Sequence, residues 1–168
     1  MSKPAIPMNP YEDGAFKLFF LDVGLLGART QLSANTLLRV NRIFQEFKGA
    51  LTEQYVQQQL RAECGFSPGY WISESLRAEL DFLFQFDTEI VPIEVKAEIN
   101  LQAKSLMSYC RKFMPKLAVR SSMHEYYRQE ISVGEQHTTT LIDLPLYAIS
   151  TIRQECAEAL ADRRNQSS

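Results

Sequence analysis

The sequence predicts an α/β domain in which helices flank a mixed β-sheet. Three observations lead there. Two strand-like runs, Glu79 to Phe86 and Ile90 to Lys96, follow each other across a tight turn. Helix-period segments lie on both sides of them, Val40 to Cys64 before and Leu101 to Phe113 after. The resulting order of helix, strand, strand, strand, helix, strand places helices over a sheet. The length of 168 residues and a hydrophobic content of 45% suit one domain with its own core.

Residues 1–14 contain three of the seven prolines and read as a flexible lead or linker remnant. The single domain is expected over residues 15–163, with a frayed polar tail at 164–168. Ala15 to Leu26 reads as a short strand and then a helical turn that starts at Asp22, a suitable N-cap. Only Lys17 and Asp22 interrupt the apolar run from Phe16 to Leu26. Gln31 to Arg39 suggests a short helix capped by Ser33. Val40 to Cys64 is the longest helix, ended by Gly65 and Pro68. Phe44, Phe47, Leu51 and Tyr55 form its main apolar stripe, and Ala50, Val56 and Leu60 a second. This helix is therefore expected to be covered on more than one side.

Tyr70 to Ser73 reads as a strand, with Tyr70 and Trp71 as packing residues. The next two strands carry the charges that matter. Side chains alternate along a strand, so Glu94 and Lys96 share one face while Ile93 and Val95 share the other. By the same rule Leu80, Phe82, Phe84 and Phe86 face one way, and Glu79 and Asp81 the other. A turn at Asp87-Thr88 pairs Phe86 with Glu89 and Phe82 with Ile93. Asp81 then falls opposite Glu94, with Cβ atoms about 5 Å apart, and Glu79 falls opposite Lys96. Two carboxylates and a lysine on one sheet face form a site for a divalent metal and a phosphate. The plainer reading is a structural ion-pair cluster at a sheet edge.

Leu101 to Phe113 is a helix stopped before Pro115. Lys116 to Arg120, Tyr126 to Val133 and Thr138 to Leu144 read as strands, and Tyr147 to Arg163 as the last helix. His124, Tyr126 and Tyr127 read as core aromatics at a strand start rather than base-stacking residues.

Composition narrows the function. The net charge of −2 counts against avid nucleic-acid binding by bulk charge. A local patch at Lys104, Arg111, Lys112, Lys116 and Arg120 can still act within such a chain. No apolar run approaches the ~20 residues of a membrane helix, so no membrane association is expected. The start lacks the pattern of a secretory signal. Cys64, Cys110 and Cys156 are widely spaced and read as free thiols, which suits a cytoplasmic setting. His124 and His137 have no partner at zinc-ligand spacing.

The element order, together with Asp81 and Glu94-Val95-Lys96, resembles the PD-(D/E)xK nuclease-like superfamily and its restriction-endonuclease-like core. The resemblance implies that Asp81 and Glu94 hold Mg²⁺ and that Lys96 orients or helps deprotonate the attacking water. It also implies that Glu53, on the first helix, assists, although Glu53 on its own reads equally as a solvent-facing residue.

A closer resemblance covers roughly residues 10 to 150. The segments Phe16 to Leu26, Gly49 to Val56, Glu79 to Leu83, Pro92 to Lys96, Lys104 to Leu106 and Lys116 to Arg120 are similar to the C-terminal domain of prokaryotic AAA-type ATP-binding proteins, domain of unknown function 4143. That resemblance implies an ATPase module as partner and nucleic acid as a substrate class. The sequence has no G-x-x-x-x-G-K-[ST], so the chain by itself is not expected to hydrolyse ATP. Three readings follow: a metal-dependent nuclease, a catalytically inactive module that binds nucleic acid or protein and regulates an attached ATPase, and an oligomerisation domain.

Overall fold

A computed structural model describes residues 17–30, 42–62, 64–65, 68–73, 78–97, 103–135 and 137–166. The expected lead at 1–14 and the short helix from Gln31 to Arg39 lie outside the described residues. So do the side chains of Phe44 and Phe47.

The strands are β1 (Gly69–Ile72), β2 (Glu79–Phe86), β3 (Glu89–Val95), β4 (Leu117–Ser122), β5 (Tyr127–Ser132) and β6 (Thr138–Pro145). They form one sheet in the order β1-β2-β3-β4-β6-β5. The β1/β2, β2/β3 and β5/β6 pairs are antiparallel, whereas β3/β4 and β4/β6 are parallel. The sheet is therefore mixed, as expected. The helices are α1 (Val23–Arg29), α2 (Arg42–Ala62), α3 (Lys104–Phe113) and α4 (Ile152–Gln166). A 3₁₀ turn, Leu146–Thr151, starts the last helical region, which continues three residues past the expected end at Arg163. Among the described residues no helix is long and apolar enough to cross a membrane.

Two apolar layers hold the sheet between helices. On one face Val56 and Leu60 of α2 and Ile152, Cys156, Ala159 and Leu160 of α4 pack on Phe82, Phe84, Ile93 and Ile142. On the other, Leu106, Tyr109 and Cys110 of α3 pack on Leu80, Leu83, Ala118 and Leu141. Trp71 sits edge-on to Tyr109 and Phe113, so it is the packing residue its sequence context suggests. Burial of this area drives folding, at ~25 cal/mol per Å² of apolar surface removed from water.

The β2–β3 hairpin has the predicted register, with Phe82 opposite Ile93 and Phe86 opposite Glu89. Asp87 occupies the turn at φ 51°, a left-handed conformation that Asp tolerates better than most residues. Alternation along β2 departs from expectation at one point. Gly69 pairs with Leu83 but Trp71 pairs with Leu80, so β2 carries one more residue than β1 across that interval. Such a bulge breaks the two-residue period. Leu80 consequently packs in the α3 layer with Leu83, and not with Phe82 as expected.

Four further expectations are corrected. No strand forms at 17–20: the Gln54 side-chain amide, not a neighbouring strand, bonds both the Phe20 N–H and its carbonyl, at 2.8 Å each. Ala50 is exposed rather than part of an apolar stripe, because that side of α2 borders a cleft. Tyr126 and Tyr127 are exposed, since β5 is the sheet's edge strand and has no neighbour on its outer side. Arg120 does not join a surface basic patch. It is buried and forms a two-pronged ion pair with Asp143 on the next strand, at 2.5 and 2.8 Å.

Candidate functional site

The site lies at the carboxyl end of β3, where side chains of an open α/β sheet are free of their neighbours' cover. Glu94 is the penultimate residue of β3 and Lys96 follows the strand, its N–H donating to the Ser121 carbonyl of β4 at 2.8 Å. β2 runs antiparallel to β3, so its first residues, Glu79 and Asp81, arrive at the same end. The bulge falls at this place and sets the direction of Asp81. Asp81 Oδ2 accepts the Val95 N–H at 2.7 Å, which ties the two strands together beyond the last regular pair.

Glu53 enters from α2. It lies one helical turn before Val56, whose burial fixes that face of the helix against the sheet. The carboxylates line a cleft of about 560 Å³ together with Lys96 and Ser105. All four residues proposed from sequence, Glu53, Asp81, Glu94 and Lys96, therefore border one cavity.

Lys17 was not anticipated as a site residue. Its Nζ is 2.8 Å from Glu79 Oε1, 3.6 Å from Glu53 Oε2 and 3.8 Å from Asp81 Oδ1. It also lies over the Tyr70 ring, 5.9 Å from the centroid. Of the two expectations for Glu79, pairing with Lys96 or sitting at the rim, the second describes it: it is half-exposed and holds Lys17, while Lys96 turns back to Glu94 at 2.5 Å. Gln54 was also missed. It is 2% exposed and anchors the segment that carries Lys17. The only sequence signal for Lys17 was a charge interrupting an apolar run.

The charge balance is uneven. Four carboxylates, Glu53, Glu79, Asp81 and Glu94, face two ammonium groups, Lys17 and Lys96, which leaves a formal charge of −2. Burial pushes the carboxyl groups of Glu53, Asp81 and Glu94 above the ordinary carboxylate range. Asp81 raises Glu53 and Glu94 further, while the Val95 N–H opposes the rise at Asp81 and Lys96 opposes it at Glu94. Burial pulls the Lys17 ammonium down, but Glu79, Glu53 and Asp81 together hold it above its ordinary value. Glu94 is 4% exposed, and its Oε2 has no hydrogen-bond partner among the described residues.

A family of proteins described as a domain of unknown function, DUF4143, matches residues 48–147. The chain belongs to this family. Neither a curated protein nor a solved structure matches it. The matched stretch contains every carboxylate of the DUF4143 site, whereas Lys17 lies before it.

Among the described residues no three His, Cys, Asp or Glu side chains are gathered closely enough to cage a metal. Mg²⁺ does not require a cage, since it is commonly held by one or two carboxylates with water and substrate phosphate oxygens. Oxygen-only donors, the negative charge excess and the unpartnered Glu94 Oε2 fit that mode of binding.

Proposed function

We propose that this DUF4143 chain is a PD-(D/E)xK-type module with a divalent-cation-dependent phosphodiesterase site acting on nucleic acid, attached in use to an AAA-type ATPase. The observation that carries the reading is Asp81 and Glu94 meeting at one sheet end beside Lys96, with Glu94 Oε2 buried and unpartnered. A structural ion-pair network has little use for an orphaned buried oxygen, which costs about 1–3 kcal/mol when left without a partner.

Asp81 and Glu94 are the residues that would hold the cation, with Glu53 as the third carboxylate at the cleft. The bound cation would supply Lewis acidity and a water more acidic than bulk water. Lys96 brings a positive charge to the same cleft, where an ammonium can orient the attacking water or offset charge on the phosphate. The Val95 N–H holds Asp81 Oδ2 at the strand end, and Oδ1 faces the Lys17 ammonium at 3.8 Å.

The test is calorimetric titration with Mn²⁺, with and without an oligonucleotide, on the native chain and on the Asp81→Ala/Glu94→Ala variant. Saturable binding that the double variant loses supports the reading. Absence of binding in the native chain under both conditions overturns it. Cleavage of labelled single- and double-stranded oligonucleotides, lost in Lys96→Met, then assigns the activity.

A second reading is favoured by one specific contact. Lys17 already partners Glu53, Glu79 and Asp81, which is the arrangement of a non-catalytic module whose acidic cluster is partly offset by an internal cation. Metal binding without cleavage of any oligonucleotide would select this reading, in which the domain binds nucleic acid or protein and regulates the ATPase.

A further inference from the structure

The Lys17 ammonium stands where the carboxylates of the cleft would receive a cation. Its side chain is 18% exposed and reaches three carboxylates from two different elements, β2 and α2. No other described cation approaches Glu53, Glu79 or Asp81 within ion-pair distance. The segment that delivers it is fastened elsewhere. Phe20 is bonded at both backbone groups by Gln54, and the Val23 N–H donates to Gln58 Oε1 at 2.9 Å. Asp22 caps α1 by accepting the Leu25 N–H at 2.9 Å. With Phe19 packed on Phe82, the anchors begin two residues after Lys17, so the lysine side chain can leave the cluster while the strap stays in place. The acidic cluster is not the only indication of a ligand, since Glu94, which borders the same cleft and is 4% exposed, keeps its Oε2 buried without a hydrogen-bond partner.

We propose that Lys17 is the internal counter-cation of this site, and that a divalent cation competes with it and expels its ammonium from the carboxylate cluster. The proposal rests on the phosphodiesterase reading, whose metal it regulates. The physical reason is charge: without Lys17 the four carboxylates and Lys96 carry a formal −3, of which one ammonium offsets a single charge and a divalent ion two. A divalent cation and an ammonium sharing Asp81 also repel each other at a distance where solvent screening is weak. Occupancy by one therefore weakens the other, and Lys17 sets a threshold of metal concentration below which the cleft stays closed to phosphate.

Two measurements on the intact chain test this. Mn²⁺ calorimetry on Lys17→Met, which retains side-chain length without charge, is expected to show binding about tenfold tighter than in the native chain. Acylation of lysines by an N-hydroxysuccinimide ester, read by mass spectrometry, is expected to rise at Lys17 several-fold on Mn²⁺ saturation, with exposed Lys104 as internal reference. The second measurement uses the native sequence and holds even where Lys17→Met fails to fold.

The outcomes separate cleanly. Tighter binding together with raised labelling supports competition. Native binding with no tightening in Lys17→Met, or with unchanged Lys17 labelling, overturns it and leaves the phosphodiesterase reading standing. Absence of binding in both proteins, with and without oligonucleotide, overturns both proposals.

Discussion

At the scale of single residues, Glu94 is the most telling side chain. One of its oxygens meets Lys96 at 2.5 Å and the other is buried without a partner. A group held above its ordinary pKa by burial binds protons more readily in the folded chain than in the unfolded one. Unfolding free energy therefore falls as pH rises through the interval between the two values. Glu53, Asp81 and Glu94 all shift in this direction, so their contribution acts together. In the absence of metal, thermal stability is expected to decline as pH rises above 4.5, the ordinary Glu value. Glu94→Gln is expected to flatten that decline and to melt higher than the native chain at pH 7. Melting curves across pH for the two proteins check it, and an unchanged slope would show that Glu94 does not carry the shift. The cysteines are quiet by contrast. Burial pushes the Cys110 and Cys156 thiols up to about 12, which keeps them protonated and unreactive at neutral pH.

At the scale of elements, two junctions decide local geometry. α3 ends at Met114, which adopts φ 50° and donates its N–H to the Cys110 carbonyl. Glycine normally fills this left-handed position because a Cβ is crowded there, and Pro115 then prevents the helix from continuing. Met114 is 49% exposed, so its side chain contributes little packing. Met114→Gly is expected to stabilise the fold by about 1 kcal/mol, raising Tm by about 2–4 °C, and differential scanning calorimetry measures this. The second junction is the strap at 17–29. Gln54 replaces a neighbouring strand for Phe20, and its amide satisfies two backbone groups at once. Gln54→Ala is expected to cost about 1–3 kcal/mol and to accelerate hydrogen exchange at the Phe20 amide. Unaltered exchange there would mean that the strap is held by its apolar contacts alone.

At the scale of the whole molecule, the buried Arg120–Asp143 pair joins β4 to β6 in register, in the same row as Glu94. Its side chains are 11% and 6% exposed. Removing one member leaves the other charged and buried. Asp143→Ala is therefore expected to cost about 3–5 kcal/mol in urea unfolding, whereas a surface pair such as Arg128–Asp162 should contribute less than about 1 kcal/mol. The difference between the two identifies which ion pairs hold the sheet. The same sheet delivers the site, so Asp143→Ala at temperatures where it remains folded should retain Mn²⁺ binding.

The strands β2 and β3, their hairpin register and the helix α2 were legible in the chain because each depends on local periodicity. Phe82 opposite Ile93 follows from the position of the turn, and a slip by one residue would have turned every buried side chain outward. Asp81, Glu94 and Lys96 were legible for the related reason that charges inside apolar strands stand out. Leu80, Arg120 and Lys17 were not. Leu80 changes face because of a bulge that depends on pairing with β1, a strand whose partner the local sequence does not specify. Arg120 reads as surface charge until Asp143, 23 residues away, supplies the buried counter-charge. Lys17 enters the site only because Gln54, 34 residues beyond Phe20, fastens the strap to α2. Local pattern thus decided the elements and their charged residues, since alternation and helical period act over a few neighbours. Which charges meet, and which oxygen is left without a partner, was decided only by tertiary packing, since Coulomb and hydrogen-bond contacts act through space between segments distant in sequence.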